Sequence, residues 1–195
     1  MKVVCATHNP GKLRELQGAL AKRGATLVPQ SELGIAEALE DGLTFIENAL
    51  IKARHAAKAS GLPALADDSG LEVDALGGRP GIHSARFAGP TADDAKNRTA
   101  LLNALAGVPE KDRSARFCCV LVYLRRYDDP RPLIAEGVWE GRILTHEAGN
   151  QGFGYDPLFF VPERGCSAAE LPAEEKNRLS HRAQALRKLG ELFRP

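Results

Sequence analysis

Side chains that could take part in a reaction are grouped most closely at residues 67–70, Asp-Asp-Ser-Gly. These residues follow an apolar run over residues 62–66. Such a run is typical of a buried strand, and α/β proteins bind ligands just beyond the carboxyl ends of their strands. Two adjacent carboxylates repel each other unless a cation or a proton offsets their charge. One interpretation is a divalent metal site in which a carboxylate is also available as a base. The other is an ordinary polar turn, and this stretch alone leaves both open.

A second polar cluster, Thr-His-Asn-Pro-Gly-Lys, occupies residues 7–12 after a β-branched segment that we predict to be the first strand. A helical pattern follows, so amide N–H groups at the helix start, together with Lys12, would hold an anion. The cluster is not a Walker A loop, because Ala6 and Leu13 stand where that motif needs Gly and Ser or Thr. The simpler alternative is a helix cap with a surface lysine.

A third cluster, Gln-Gly-Phe-Gly-Tyr-Asp-Pro over residues 151–157, alternates glycines with aromatic residues before an acid. A loop that displays an aromatic face beside a carboxylate can stack on a nucleobase and accept a ring N–H. Taken alone, however, the cluster favours an aromatic-lined turn that packs on its own core.

The directions in which the basic side chains of the tail point depend on whether its helix is broken. On one unbroken helix, Lys176 and Ser180 share a face while His181 and Arg182 point away from it. Ser180 could instead cap a new helix with His181 and Arg182 in its first turn. We predict the break, because it allows Lys176, His181 and Arg182 to converge on one ligand. The alternative is an amphipathic helix with a solvated basic face.

The acids of the segment 31–42 are most simply solvated charges, and Glu40 is among them. The next segment contains a capping box, in which Thr44 begins a helix and Glu47 completes the cap. On that helix we predict alanines on the buried face and Lys52 on the outward face.

Composition limits the classes of protein that fit. The chain has 195 residues, for which we predict a single domain over residues 1–195, and a net charge of +1, which gives no general attraction to nucleic acid or membrane. The four cysteines contain no C-x-x-C pair. We find no signal peptide and no apolar run long enough to span a membrane, so we predict a reduced, cytoplasmic protein.

The remaining segments predict an α/β fold. Residues 25–29 are predicted to form an edge strand, and the very apolar residues 115–125 a central one. Residues 133–144 are predicted to form one or two strands, split at Gly141, and residues 92–106 a helix. The turn-rich residues 79–87 are predicted to form a long loop beside the acids.

Taken together, these motifs resemble one family, the inosine/xanthosine triphosphate pyrophosphatases. The resemblance covers nearly the whole chain, and the motifs occur in the family's order. The matching pieces are residues 7–12, 42–49 (Gly-Leu-Thr-Phe-Ile-Glu-Asn-Ala), 66–71, 76–81 (Leu-Gly-Gly-Arg-Pro-Gly), 153–157, 175–177 (Glu-Lys-Asn) and 180–182 (Ser-His-Arg).

The resemblance implies hydrolysis of a non-standard purine nucleoside triphosphate, such as ITP, XTP or dITP, to the monophosphate and pyrophosphate. It also implies Mg²⁺ as cofactor and a homodimer. The implied fold is α/β, with two lobes around a long central mixed β-sheet with flanking helices, and an active-site cleft between the lobes.

The resemblance also assigns roles to residues. Asp68 is implied as the proton acceptor for the attacking water, and Glu40 and Asp68 as the metal ligands. Asp67 would tune the site from the other side of the strand, because neighbouring strand residues face opposite sides. The implied substrate-binding residues are Thr7, His8, Asn9, Pro10, Gly11, Lys12, Ser69, Phe153, Gly154, Tyr155, Asp156, Lys176, His181 and Arg182.

Two other functions remain as alternatives. One is a Mg²⁺-dependent phosphatase or nucleotide pyrophosphatase of different specificity. The other is a nucleotide- or RNA-binding module whose basic tail contacts phosphate, which the near-zero net charge and the central acids disfavour.

Overall fold

The computed structural model describes residues 1–7, 9–21 and 24–192, without the side chains of residues 19 and 20. His8, predicted to bind substrate, lies outside the described residues.

One mixed sheet contains all seven named strands, and this confirms the predicted α/β class with a mixed sheet. The strands are β1 Lys2–Ala6, β2 Thr26–Pro29, β3 Ala64–Val73, β4 Ser114–Leu124, β5 Leu133–Ile143, β6 Phe159–Val161 and β7 Cys166–Ser167. Their order is β2-β1-β3-β4-β5-β6-β7, so β2 is an edge strand and β4 is central, as predicted. Strands β2, β1 and β3 pair in parallel, whereas β5, β6 and β7 pair antiparallel.

Five α-helices accompany these strands in the described part of the chain. They are α1 Pro10–Ala21, α2 Phe45–Ser60, α3 Asp94–Ala104, α4 Ala173–Leu179 and α5 His181–Leu192. Short 3₁₀ segments occupy Gln30–Leu33, Asp74–Leu76, Gly81–Arg86, Glu110–Asp112 and Asp156–Leu158. No described helix has both the length and the apolar content needed to cross a bilayer.

Contacts divide the chain into two compact units. Unit 1 comprises the described parts of residues 1–68, 119–137 and 182–195, and unit 2 comprises residues 69–118 and 138–181. The predicted cleft and the single domain stay predictions.

In unit 1, the sheet carries an apolar cluster on each face, because successive strand residues point to opposite sides. On one face, Cys5 and Leu65 pack with Leu16 of α1 and Leu189 of α5. On the other face, small residues of the strands pack against the alanines of α2, as the predicted buried stripe of that helix requires. Residues 67 and 68 of β3 therefore face different helices.

In unit 2, one apolar cluster fixes the elements that carry the third motif. Leu101 of α3 and Leu105, which directly follows that helix, are fully buried and belong to the same cluster as Phe117, Trp139 and Phe159. The Phe117 and Phe159 ring centroids lie 4.5 Å apart. Helix α3 and the start of β6 are thus packed into one core.

Two local predictions about helix ends are confirmed. The Thr44 hydroxyl accepts a hydrogen bond from the Glu47 N–H at 3.2 Å, and the Glu47 carboxylate accepts one from the Leu43 N–H at 2.7 Å. In the tail, Ser180 has an extended ψ of 157° and separates α4 from α5. His181 and Arg182 consequently occupy the first turn of α5.

Four predictions about the elements are wrong. Strand β3 does not end before Asp67 but continues to Val73, and helix α1 begins at Pro10 rather than after residue 12. Strand β5 is continuous through Gly141, where a Cβ would lie 2.5 Å from the Phe160 carbonyl oxygen, so the glycine is needed for close packing rather than for a break. Part of the predicted long loop over residues 79–87 is the 3₁₀ segment Gly81–Arg86.

Candidate active site

The two central acids lie within β3, at the point where its parallel neighbour β1 ends. Ala6, the last residue of β1, pairs with Ala66, so β1 has no residue opposite Asp67 and Asp68. The loop after β1 and the start of α1 come next in the chain. Asp67 and Asp68 therefore lie beside the carboxyl end of a strand, as expected. That strand is the neighbouring β1, because β3 itself continues past them.

Asp67 is fully buried between two cations of unit 1. One carboxylate oxygen lies 2.7 Å from Lys12 Nζ, and the other accepts a hydrogen bond from Arg182 Nε at 2.6 Å. Cys119 Sγ is 3.4 Å from the same carboxylate. Burial alone would raise the pKa of Asp67, but Arg182 and Lys12 outweigh it and hold the pKa well below its usual range. Asp67 is thus held as an anion, which suits a structural charge rather than a base.

Arg182 is completely buried and is shared by two carboxylates. Besides Asp67, it contacts Glu15 of α1 through Nη1 at 2.5 Å. Burial by itself would lower the pKa of Arg182, yet the negative charges of Asp67 and Glu15 raise it. Two of the three guanidinium nitrogens therefore bind protein carboxylates, and this limits the predicted contact of Arg182 with substrate.

Asp68 faces α2 and has a different environment from Asp67. Its Oδ1 accepts a hydrogen bond from Lys52 Nζ at 2.6 Å, while its Oδ2 is buried and has no hydrogen-bond partner among the described residues. Burial raises the pKa of the Asp68 carboxyl, and Lys52 offsets this only in part. A carboxylate with a raised pKa and an uncommitted oxygen can accept a proton from water.

Lys52 also connects Asp68 to the predicted metal ligand Glu40. Its Nζ lies 3.5 Å from Glu40 Oε1, so both carboxylates approach one point. Burial would lower the pKa of Lys52, but Asp68 and Glu40 raise it. The predicted outward orientation of Lys52 is wrong, because its side chain is only 12% exposed.

The start of α1 does not offer the free amides that were predicted for anion binding. Asn9 Oδ1 accepts hydrogen bonds from Gly11 N at 2.8 Å and Lys12 N at 3.1 Å, and the Asn9 carbonyl accepts one from Leu13 N. Pro10 has no N–H. Thr7 Oγ1 in turn accepts the Asn9 N–H at 3.1 Å. Thr7 and Asn9 thus shape the loop and cap the helix, and anion binding by Lys12 stays a prediction.

The third motif lies in unit 2 and is organised by Asp156. The buried Asp156 carboxylate accepts hydrogen bonds from the Phe153 N–H at 2.8 Å and from Lys176 Nζ at 2.5 Å. Lys176 Nζ also lies 4.7 Å from the centroid of the half-buried Phe153 ring, within range of a cation–π interaction. Asp156 therefore holds an aromatic ring and an ammonium group side by side.

The other predicted residues of unit 2 differ in their exposure. Tyr155 is buried, and its hydroxyl donates to the Ser84 carbonyl at 2.8 Å, so its side chain stabilises the loop from the protein interior. His181 is buried and stacks on Phe117, with ring centroids 4.8 Å apart and planes 16° from parallel. Ser69 is half-buried in β3.

Comparison with known proteins identifies the family. The sequence model of the Ham1 family matches residues 3–192, which is nearly the whole chain. The chain belongs to the Ham1 family. The resemblance inferred from the motifs is thereby confirmed.

Ham1-family relatives are similar over their full lengths. A protein of Pectobacterium atrosepticum named dITP/XTP pyrophosphatase is 60% identical over 194 residues, covering 99% of this chain and 98% of the relative. A protein of the same name from Photorhabdus laumondii is 57% identical over 193 residues, covering 99% of this chain and 98% of the relative. The structure of a HAM1 protein from Coxiella burnetii has a TM-score of 0.91 and 48% identity and covers 98% of both chains.

Two residues of this Ham1 protein lie at the site although the sequence alone gave them no role. Glu15 holds Arg182, and Lys52 donates a hydrogen bond to Asp68. Glu15 follows Lys12 by three positions on α1, so helical spacing does put the two on one face. No comparable local signal exists for Lys52, because its partner is distant in the sequence.

Position 152 needs a glycine, because the Asp156 carboxylate occupies the space that a Cβ at this position would fill. Gly152 has a φ of +78°, and a Cβ there would lie 2.1 Å from Asp156 Oδ2. We expect Gly152→Ala to lower the free energy of unfolding by about 1–3 kcal/mol through this overlap, beyond the cost of its backbone conformation. Gly165→Ala is the matched control, because Gly165 has a φ of +66° but no atom within 4 Å of the added Cβ. Equal unfolding free energies for the two variants, measured by urea denaturation, would contradict the tight contact at Asp156.

Proposed function

We propose that this Ham1-family chain hydrolyses non-standard purine nucleoside triphosphates, such as dITP, XTP and ITP, to the monophosphate and pyrophosphate. The enzyme class, a nucleoside triphosphate pyrophosphohydrolase, is confirmed by relatives named dITP/XTP pyrophosphatase at 57% and 60% identity. By removing such nucleotides, the enzyme would keep them out of DNA and RNA.

The observation that carries the mechanism is the environment of Asp68. A water molecule next to Oδ2 would donate its proton to this carboxylate as its oxygen attacks the α-phosphorus. The bond between the α-phosphorus and the bridging oxygen then breaks, and pyrophosphate leaves with that oxygen. Burial of Asp68, which raises its pKa, supports the role of proton acceptor.

The carboxylates fit the Mg²⁺ that the family resemblance implies. Glu40 and Asp68 both approach Lys52 Nζ, and Asp68 Oδ2 is a buried oxygen that no described residue binds. Within the described ranges, no group of three or more His, Cys, Asp or Glu residues could hold a metal ion. Mg²⁺ uses one or two carboxylates and takes its other oxygens from water and phosphate, so Glu40 and Asp68 would suffice as protein ligands. When bound, Mg²⁺ would neutralise phosphate charge and lower the pKa of water.

Two lysines of unit 1 supply positive charge for the triphosphate. Lys12 and Lys52 are part-buried, with side chains 17% and 12% exposed, so their charge is poorly screened. Each is balanced by a carboxylate of β3, and this keeps the group stable before substrate binds. Thr7 and Asn9 set the loop that precedes Lys12.

Unit 2 supplies the groups that would recognise the base. Phe153 offers an aromatic face, and Lys176 offers a donor beside it. Hypoxanthine and xanthine carry a 6-oxo acceptor, whereas adenine carries a 6-amino donor that would meet a cation. A mismatch of buried polar groups can reject an analogue strongly. Since Asp156 already binds Lys176 and the Phe153 N–H, it would select the base chiefly by fixing those two groups.

A panel of nucleotides tests the proposed function. We expect pyrophosphate and monophosphate from ITP, XTP and dITP with Mg²⁺, and a kcat/KM for ATP that is lower by at least about 100-fold. Release of orthophosphate and IDP would instead indicate a phosphatase. Equal kcat/KM values for ITP and ATP would contradict the proposed recognition of the base.

The cell compartment and the assembly also belong to the proposal. We propose a cytoplasmic homodimer, as the family resemblance implies, and the four free cysteines are compatible with a reducing compartment. Light scattering during size-exclusion chromatography would measure the mass of the assembly.

A further inference from the structure

Helix α3 holds both hydrogen-bonding groups of one residue in the third motif. Asp94 Oδ2 accepts a hydrogen bond from the Gly154 N–H at 2.7 Å, and Arg98 Nη1 donates to the Gly154 carbonyl at 3.0 Å. Asp94 and Arg98 are four residues apart on α3 and therefore lie on one face of that helix. The Gly154 N–H belongs to the peptide between Phe153 and Gly154, and the Gly154 carbonyl belongs to the peptide between Gly154 and Tyr155. The two contacts therefore fix the backbone directly after Phe153.

Arg98 is itself restrained by a second partner. Its Nε donates to Glu147 Oε1 at 2.8 Å, and its side chain is only 17% exposed. The planar guanidinium therefore joins Glu147, which lies before the motif, to Gly154, which lies within it. A lysine at this position has one nitrogen and could not reproduce this fork.

Helix α3 is a firm support for the loop. Asp93 caps its first turn by accepting the Lys96 N–H at 2.8 Å. The buried Asn97 donates to the Ala85 carbonyl at 3.0 Å and accepts the Ala88 N–H at 2.9 Å. Because these bonds and its apolar face hold α3 in place, Asp94 and Arg98 can hold Gly154 in a fixed position.

We infer that Asp94 and Arg98 are positioning residues for Phe153, which sets how the base is held. This inference rests on the proposed function, since it takes Phe153 as the surface that meets the purine. Asp156 and Lys176 hold the loop from one side, through the Phe153 N–H and the Phe153 ring. Asp94 and Arg98 hold the next residue, Gly154, from α3, so the loop is restrained at consecutive residues.

The test compares steady-state kinetics of full-length variants with ITP and Mg²⁺. In Arg98→Met and Asp94→Ala, we expect KM for ITP to rise by about 10-fold or more, because a small displacement of a binding group is costly. We expect little change in kcat, because the described contacts of Asp94 and Arg98 are with Gly154 and Glu147, which have no proposed role at the reacting phosphorus. Asp94→Asn retains an oxygen that can accept the Gly154 N–H and should restore KM close to the wild-type value.

Lys96→Met is the matched control, because Lys96 is an exposed cation on the same helix that pairs with Asp93 at 3.7 Å and not with the loop. A double variant of Asp94 and Arg98 adds a second readout. Since both act on the same residue, Gly154, we expect the double variant to raise KM by less than the product of the single effects.

The outcomes separate this inference from the proposed function. A wild-type protein that releases no pyrophosphate from ITP would contradict the proposed function. An active wild type, with folded Arg98→Met and Asp94→Ala variants that keep the KM of Lys96→Met, would overturn the positioning role. If Arg98→Met does not fold, KM is measured for Arg98→Lys instead, which retains the charge but cannot form the fork. An unchanged KM for Arg98→Lys would then overturn the positioning role. A fall in kcat with unchanged KM in any of these variants would likewise overturn the inference.

Discussion

We expect Asp68→Asn to lower kcat for ITP hydrolysis by at least about 100-fold, the low end of the loss when a general base is removed. Asparagine has nearly the same shape as aspartate, and its Oδ1 can still accept the hydrogen bond from Lys52 Nζ, now at 2.6 Å from Asp68 Oδ1. The fold should therefore persist, which circular dichroism and thermal unfolding can check. What is lost is the ability of the side chain to take a proton from water.

Two further substitutions separate the role of Asp68 from a general effect of lost charge. Asp41→Asn removes an exposed carboxylate next to Glu40 and should leave kcat unchanged. Glu40→Gln should raise the Mg²⁺ concentration needed for half-maximal activity, because it removes one negative charge from the ligands. Saturating Mg²⁺ should then restore the activity of Glu40→Gln but not that of Asp68→Asn. Wild-type turnover by Asp68→Asn would remove Asp68 from the role of base.

Features encoded by neighbouring residues were predictable from the sequence. The capping box of Thr44 and Glu47 needs only residues three apart, and its hydrogen bonds form as predicted. The break at Ser180 was likewise predictable, because a capping residue stands directly before the basic pair. The central position of β4 followed from the continuous apolar run over residues 117–124, since a strand covered on both faces needs apolar residues at successive positions.

The length of β3 was not predictable in the same way. Asp67, Asp68 and Gly70 are poor strand residues, and local preference therefore ends the strand at Ala66. In the structure the strand continues, because ion pairs satisfy the two buried acids and the sheet satisfies the backbone. Tertiary contacts thus outweigh local propensity where charges from other segments are available.

The partners of the charged and polar groups were also not predictable from the sequence. The sequence predicts Lys52 on the outer face of α2 because it lies off the alanine stripe of that helix, but its side chain meets Asp68. The amides at the start of α1 were expected to be free, but the Asn9 side chain and carbonyl accept three of them. A pattern of residue types indicates which groups can form hydrogen bonds, whereas only the coordinates indicate which of them are already used.

Asp67→Asn should lower the free energy of unfolding by about 3–5 kcal/mol, the usual cost of removing one partner from a buried ion pair. The completely buried Arg182 would lose the carboxylate that binds its Nε while keeping the ion pair with Glu15, and Lys12 would lose the carboxylate that lies 2.7 Å from its Nζ. Asp128→Asn is the matched control, because Asp128 pairs with Arg126 on the surface, where both side chains are more than half exposed. An exposed pair contributes at most about 1 kcal/mol.

The same residue should make the stability of the protein fall in acid. In the folded protein, Arg182 and Lys12 hold the pKa of Asp67 well below its ordinary value, although burial opposes them. In the unfolded chain an Asp titrates near about 3.9, so below about pH 4 the unfolded state binds more protons and stability decreases. Asp67→Asn lacks this carboxyl, so its unfolding free energy should depend less steeply on pH in that range than that of the wild type. An Asp67→Asn protein with the stability of Asp128→Asn at neutral pH, and with the acid dependence of the wild type, would mean that Arg182 and Lys12 do not depend on Asp67 for their charge balance.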